Sequence, residues 1–521
     1  LQKQINKNMS TIITENFKIL LAKQAYNLLE IGANSYLPDA RKSYVYCFFG
    51  KQLPWNSGTE VPSVPSDTIT YLNDCYKRGI LAKRASIENA SLVVPRINWT
   101  SNTVYNTYES NTNFYVLNSK DQVFKCLYNN SGIASTSEPE LTLSTTSLEE
   151  PYVKTNDGYK WKYMMTLTSV QKQKFLTDDW MPVVYNKFVR SAAEPGSIDI
   201  VKIINSGNNY TSGSLQDIIT IEGDGTGAVL KANISSEIET FPGTANVSDT
   251  SIEVVGLNTY FLANTSVGSK ITIDGQEKTV VSISSNTILS VDSIYADTAN
   301  NMSITKKGGK VLDIIVQNRG KNYTYANLTF TDVSGGIGSG AEAVVSISPV
   351  DGHGYDPVFE LGASTLMFNV EFQEDESGIL PTDNDFREVV LVHNPQINGT
   401  TTLASDTSYT LYTKIKVSPG VGDFSVDEVV YQGPEFSSKT FSADVVSFDA
   451  VENYLYVNNV KGSLSTNQAL KGYTSGSIRI VNSVTNPTMK LYSGKILYIS
   501  DKLPISRDPA QTERIRFILS F

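Results

Sequence analysis

Histidine is nearly absent from this 521-residue chain, which has only His353 and His393. Imidazole acid–base chemistry and histidine-rich metal sites need more convergence than that. His353 lies between glycines in Gly352-His-Gly354 and reads as a turn residue, while His393 follows Val389-Val-Leu-Val392 and reads as the end of a strand. Each is expected to be a hydrogen-bonded structural side chain. Cysteine is as scarce. Cys47, Cys75 and Cys126 are odd in number and share no metal-like spacing, which argues against a disulfide framework and fits a reduced compartment. Cys47 and Cys126 sit in apolar runs, as small buried hydrophobes do. No stretch approaches the roughly 20 apolar residues needed to cross a bilayer, and no charged-then-apolar leader opens the chain, so neither membrane insertion nor export is expected. The start of the protein reads as either Leu1 or Met9. Concentrated positive charge is also missing. There are 53 acidic against 43 basic side chains, and the pairs Lys77-Arg78, Lys83-Arg84 and Lys306-Lys307 are isolated. A phosphate-tracking surface requires the opposite balance on one face, so nucleic acid is not expected as a partner.

What the chain has in quantity is apolar and aromatic surface. Hydrophobic residues make up 40% and charged residues 18%, with 28 tyrosines and 20 phenylalanines, enough to offset chain entropy. The length exceeds one ordinary core, so several modules are expected. Phe17, Leu20, Leu21, Gln24, Leu28 and Ile31 fall on one helical face, with Gly32 placed as a C-terminal cap. From about Tyr44 onward, short runs rich in Val, Ile, Thr, Tyr and Phe are punctuated by Gly, Asn, Ser and Pro. That pattern predicts a mainly β protein with a short helical N-terminus. Pro54, Trp55, Pro62 and Pro65 mark residues 50–68 as a rigid irregular loop, and residues 131–150 read as a polar linker or loop tip.

The clearest internal signal is a duplication. Asn205-Ser-Gly-Asn-Asn-Tyr-Thr211 recurs as Asn318-Arg-Gly-Lys-Asn-Tyr-Thr324, and Gly223-Asp-Gly-Thr-Gly-Ala228 recurs as Gly336-Ile-Gly-Ser-Gly-Ala341, both displaced by 113 positions. Ile234-Ser235 and Ile347-Ser348 keep the same register. Each copy reads as strand, Asn-Gly turn, strand, Gly-rich turn, strand. Residues 241–304 between them, and residues 421–484 later, alternate apolar and polar positions and read as inserted β-modules.

Two patterns suggest chemistry and are set aside. The Gly-x-Gly-x-Gly-Ala strings are followed by strand-like residues rather than a helix, and no P-loop Gly-Lys-Ser/Thr exists, so turn glycines explain them better than a nucleotide. The acidic clusters Asp178-Asp179, Glu374-Asp375-Glu376 and Asp383-Asn-Asp385 read as solvated loops rather than a glycosidase pair or a calcium site.

Several ordered segments are similar to the dimeric wedge protein family of T4-like myovirus baseplates. They are Tyr44-Val-Tyr-Cys-Phe-Phe-Gly-Lys-Gln-Leu-Pro-Trp55 with Pro65-Ser-Asp-Thr68, Val93-Val-Pro-Arg-Ile-Asn-Trp99, Val123-Phe-Lys-Cys-Leu127, Asp157-Gly-Tyr-Lys-Trp-Lys-Tyr163, Asp385-Phe-Arg-Glu-Val-Val-Leu-Val-His-Asn-Pro395, Ser493-Gly-Lys-Ile-Leu-Tyr498 and Gln511-Thr-Glu-Arg-Ile-Arg-Phe-Ile-Leu-Ser-Phe521. The similarity covers residues 10–190, 355–420 and 488–521, and so brackets the duplicated and inserted segments. It implies a three-layer β-sandwich scaffold, a homodimer that contacts other baseplate wedge proteins, and a place in the virion tail baseplate after assembly in the host cytoplasm. It implies no cofactor, no metal and no catalytic centre.

The expected organisation is therefore an N-terminal wedge scaffold at 1–190, the first copy of the duplicated unit at 191–240, an inserted module at 241–304 and the second copy at 305–350. The C-terminal scaffold begins at 351–420, a second inserted module occupies 421–484, and terminal scaffold strands fill 485–521. Trp55, Pro95, Arg96, Trp99 and Trp161 are the expected assembly contacts, with ordinary folding roles as the alternative for each. Rival functions are a tail-associated polysaccharide hydrolase and a glycan-binding adhesin.

Overall fold

Val45-Tyr-Cys-Phe-Phe49 is apolar at every position and can be buried on both faces, whereas Lys270-Ile-Thr-Ile273 alternates and can be buried on one. The computed structural model makes strands of both, the first wholly buried and the second with Ile271 and Ile273 inward. It describes residues 12–33, 43–51, 62, 64–110, 112–142, 152–333, 337–374, 376, 385–506 and 512–521. The chain is mainly β, with 49% strand and 12% helix. Most of residues 50–61, the end of the 131–150 stretch and the Asp383-Asn384 pair lie outside the described residues.

The chain divides into two compact units. The first holds residues 1–96, 167–184 and 361–521, and the second holds residues 97–166 and 185–360. The expected N-terminal scaffold at 1–190 is thus shared between them.

In the first unit, a five-stranded sheet runs in the order Ser408–Thr410, Gly79–Ala85, Val45–Gly50, Asp385–His393, Lys495–Ser506. A four-stranded sheet runs Thr512–Ser520, Thr365–Gln373, Ala90–Pro95, Trp180–Pro182. Phe49 of the former meets Phe372 of the latter edge-on at 4.7 Å, and Tyr498 stacks with Phe517 at 6.4 Å, so the two sheets form a sandwich. The helix Glu15–Ala33 lies against Ala90–Pro95 and Thr365–Gln373. Its buried residues are Ile19, Ala22 and Leu29, while Phe17 and Leu20 are about half exposed, so the packed face is rotated from the expected one. Gly32 lies within the helix rather than past its end.

A closed six-stranded barrel completes this unit, in the order Thr413–Val417, Tyr454–Gly462, Phe441–Asp449, Val429–Gln432, Ala469–Gly472, Ile478–Thr485. Its core includes Ile415, Val430, Phe441, Leu455, Leu470 and Val481. Thr413–Val417 pairs with both Tyr454–Gly462 and Ile478–Thr485, and without it the barrel would be open. The module therefore starts before residue 421, because closure recruits a strand that reads as scaffold.

In the second unit, Tyr115–Leu117, Gln122–Tyr128, Lys160–Thr166 and Val153–Lys154 form one sheet. The duplicated segments are not two separate units. The first long strand of the first copy, Ile198–Asn208, pairs with the last strand of the second, Ser339–Ile347; the first strand of the second, Val311–Lys321, pairs with the last of the first, Thr226–Ile234. The register is reciprocal: Ile203 faces Ala343 and Val316 faces Leu230. The closing contacts repeat as well. Tyr210 N donates to Gly309 O at 3.1 Å, and Tyr323 N donates to Gly196 O at 3.0 Å. The copies are intertwined and share one core built on Tyr210, Tyr323, Ile198, Leu230 and Val311. The expected turns close the first strand of each copy: Gly207 and Gly320, at φ near +61° and +62°, are the last residue but one of their strands, and Asn209 and Asn322, also at positive φ, carry the chain toward the strands Gly213–Gln216 and Ala326–Phe330.

Between the copies lies an eight-stranded sheet in which Glu237–Thr240 is one edge, beside Ile304–Gly308, and Ala299–Met302 the other, around Phe241, Val254, Phe261, Ile271, Val291 and Ile304.

Candidate functional site

The expected assembly contacts fall in both units. Trp55 lies outside the described residues. Pro95 is exposed at the end of its strand, opposite Trp180. Arg96, half-buried, is turned back into the first unit: its N–H donates to Asp179 O at 2.7 Å and its Nη1 to Thr177 O at 2.9 Å. Trp99, in the second unit, is half-buried, with Nε1 donating to Ser135 Oγ at 3.1 Å. Trp161 is fully buried, stacked on Tyr159 at 5.4 Å and edge-on to Tyr105 at 5.6 Å. The strand is buried on both faces from Trp161 to Met165, and the ring packs in a core with Tyr105, Tyr159 and Tyr163, so in this fold Trp161 is a packing residue.

The remaining sequence candidates do not converge. Asp178 and Asp179 are exposed. Glu376 is ion-paired with Lys83 and Glu371 with Arg514, around an open groove of about 1050 Å³ that also carries Arg84 and Glu88. Asp385 is held by Lys51 at 2.9 Å and Arg387 at 2.6 Å. His393 ends its strand, with Nε2 2.7 Å from Ser43 Oγ. Among the described residues, no group of three or more His, Cys, Asp or Glu side chains is placed to hold a metal ion. No helix among them is long and apolar enough to cross a membrane.

The most concentrated charge in the second unit is a buried cluster centred on His353. Its ring lies edge-on to Tyr108 at 4.8 Å, and Nδ1 is 2.8 Å from Lys125 Nζ. An ammonium can only donate, so Nδ1 accepts and the ring proton sits on Nε2, which faces Asp199 Oδ2 at 4.0 Å. Lys125 is ion-paired with Glu360, which also accepts from Gly354 N at 2.8 Å and Asp356 N at 3.2 Å. Asp199 accepts from Ser197 Oγ at 2.9 Å and Arg319 Nη1 at 3.3 Å.

Burial dominates the electrostatics. It pushes Lys125 below the ordinary lysine value against the pull of Glu360. Burial and the neighbouring Lys125 charge lower His353 to about 4, so the ring is neutral at pH 7. Burial would raise Glu360, but the neighbouring Lys125 charge overcomes it and holds the carboxyl at about 2. Lys162, also buried, is lowered to about 8. Side chains this enclosed cannot meet a macromolecular substrate. Their evident work is to tie the sheet carrying Lys125 to the duplicated strands carrying Asp199 and Arg319, with Lys125 paired to Glu360 and Arg319 to Asp199.

Sequence reasoning reached His353 as a bonded structural residue but not its partners. The available signal was Lys125 itself, a charge in the middle of the apolar run Val123-Phe-Lys-Cys-Leu127.

Neither a protein-family model nor, at a significant level, any curated protein matches the chain.

Proposed function

We propose that this chain is a structural subunit of a contractile phage-tail baseplate, a wedge protein that joins neighbouring baseplate proteins during assembly and tail contraction. The observation that carries this reading is how the seven wedge-like segments sit in the fold. The strands within Tyr44–Trp55, Asp385–Pro395 and Ser493–Tyr498 are successive neighbours in the five-stranded sheet. Those within Val93–Trp99 and Gln511–Phe521 flank Thr365–Gln373 in the facing sheet. Val123–Leu127 pairs with the strand of Asp157–Tyr163. Chance look-alikes scattered along a chain have no reason to meet as adjacent strands, whereas pieces of one inherited scaffold do.

The N-terminal helix adds support. Phe17 and Leu20 are 50% and 43% exposed and stand three residues apart on the helix, an apolar face suited to a neighbouring protein. The partners in this reading are a second copy of the chain and other wedge proteins, in the virion tail baseplate.

Sedimentation of the purified chain at micromolar concentration, with mass spectrometry of purified virion tails, tests the proposal. A dimer, and peptides of this chain in the tail fraction, are expected. Asp substitution of Phe17 and Leu20 together is expected to weaken self-association or incorporation without unfolding the protein. A monomer that is absent from tails would overturn the proposal.

A further inference from the structure

Within the first unit, the end of the barrel strand Tyr454–Gly462 and the segment 486–492 enclose a cleft of about 400 Å³. That size suits a ligand of one or two rings. The deep residues are apolar: Leu411, Val457 and Met489 are buried and line it.

Three asparagines on its wall have one thing in common. Asn398 Nδ2 donates to Pro487 O, Asn458 Nδ2 to Arg78 O and Asn459 Nδ2 to Asp444 Oδ2, each at 2.8 Å. These bonds fix the amide planes and leave the three Oδ1 atoms with no bonding partner among the described residues. A carbonyl oxygen only accepts, so a ligand that satisfies these groups must bring O–H or N–H donors.

Lys77 and Lys490 line the same cleft. Among the described residues each ammonium has a single bonded partner, Asp74 Oδ1 at 3.1 Å and Gln396 Oε1 at 3.0 Å, so each keeps donors for a ligand acceptor. At the rim, Tyr492 is 52% exposed while its ring is steadied by buried Tyr76 at 5.7 Å. A half-exposed ring held in place offers a flat apolar face at low entropic cost.

Acceptors, donors and a stacking face together match one ligand class. We infer that this cleft binds a pyranose ring of a glycan, with rim hydroxyls on the asparagine carbonyls and lysine ammonium groups and the C–H face on Tyr492. The two lysines favour a carboxylated sugar over a neutral one. The inference does not depend on the baseplate proposal, and its failure would leave that proposal standing.

Saturation-transfer NMR on the full chain tests it, with methyl glucoside and glucuronate as probes. Transfer to ring C–H protons is expected with both sugars, more strongly with glucuronate. Tyr492→Ala is expected to weaken binding about tenfold. Lys490→Gln is expected to reduce the preference for glucuronate, and Tyr473→Ala, an exposed barrel tyrosine that does not line the cleft, to change nothing. A thermal melt of each variant checks that it is folded. Should Tyr492→Ala fail to fold, Lys490→Gln decides the matter. Absence of transfer from either sugar, transfer undiminished in folded Tyr492→Ala, or a glucuronate preference undiminished by Lys490→Gln would overturn the inference.

Discussion

The ring of Tyr323 lies against Gly225 so closely that a Cβ on the glycine would come within 2.3 Å of it, and Tyr210 stands in the same relation to Gly338. Each tyrosine belongs to one copy of the duplication and each glycine to the other. Neither glycine needs an unusual backbone conformation, so the constraint is space alone. Gly225→Ala and Gly338→Ala are each expected to cost about 1–3 kcal/mol by overpacking, at similar size. Urea denaturation followed by intrinsic fluorescence measures both. A neutral effect at either site would show that the shared core gives way more easily than the reciprocal geometry implies.

Lys125 and Glu360 form a pair in which one partner shelters the other's charge. Glu360→Gln leaves an ammonium buried without its counter-ion and is expected to cost about 3–5 kcal/mol. The double variant Lys125→Met with Glu360→Gln removes both charges and is expected to regain most of that loss. The same denaturation experiment reads both values, and a double variant as unstable as the single one would mean that packing rather than charge dominates.

The depressed His353 ring makes a pH prediction whose sign can be worked out. Its folded value of about 4 lies below the ordinary histidine value of 6.5, so the unfolded chain binds the proton more readily. Its contribution is whole above pH 6.5 and fades as the pH falls toward 4, amounting to about 3 kcal/mol at full extent. The groups facing the ring are Lys125, Glu360, Asp199 and Tyr108. Glu360, held at about 2, loses its own contribution only below 4.5, so the two windows barely overlap. His393 is also lowered and acts in the same direction, so the informative comparison is with His353→Asn. The fall in stability between pH 7 and pH 5 is expected to be smaller in that variant. An unchanged fall would place the effect elsewhere.

The strands, the N-terminal helix and the duplication were all legible in the sequence because each is written locally, in alternation, spacing or repetition. Pairing was not. Ile203 meets Ala343 across the whole inserted module, and nothing near either residue announces the exchange. The helix face was misjudged because apolar residues occur on more than one side of it. Packing chose Ile19, Ala22 and Leu29, leaving Phe17 and Leu20 outside. Trp161 illustrates the same limit, since an aromatic side chain in an alternating strand is equally legible as core or as contact until the sheet's inner face is known. The buried cluster was half legible: Lys125 stands out within its apolar run, whereas Asp199 and Glu360 look like any surface acid.

Ile234 and Val311 stand opposite one another as a strand pair, and beside them Ser235 N donates to Lys310 O while Lys310 N donates to Ser235 Oγ. The polypeptide therefore leaves the intertwined frame and returns to it at a single doorway, with the whole eight-stranded sheet hanging outside. A short loop could bridge that doorway. Nature or an engineer can thus trim, enlarge or exchange the appendage as a cassette, while the reciprocal strands behind it keep their partners.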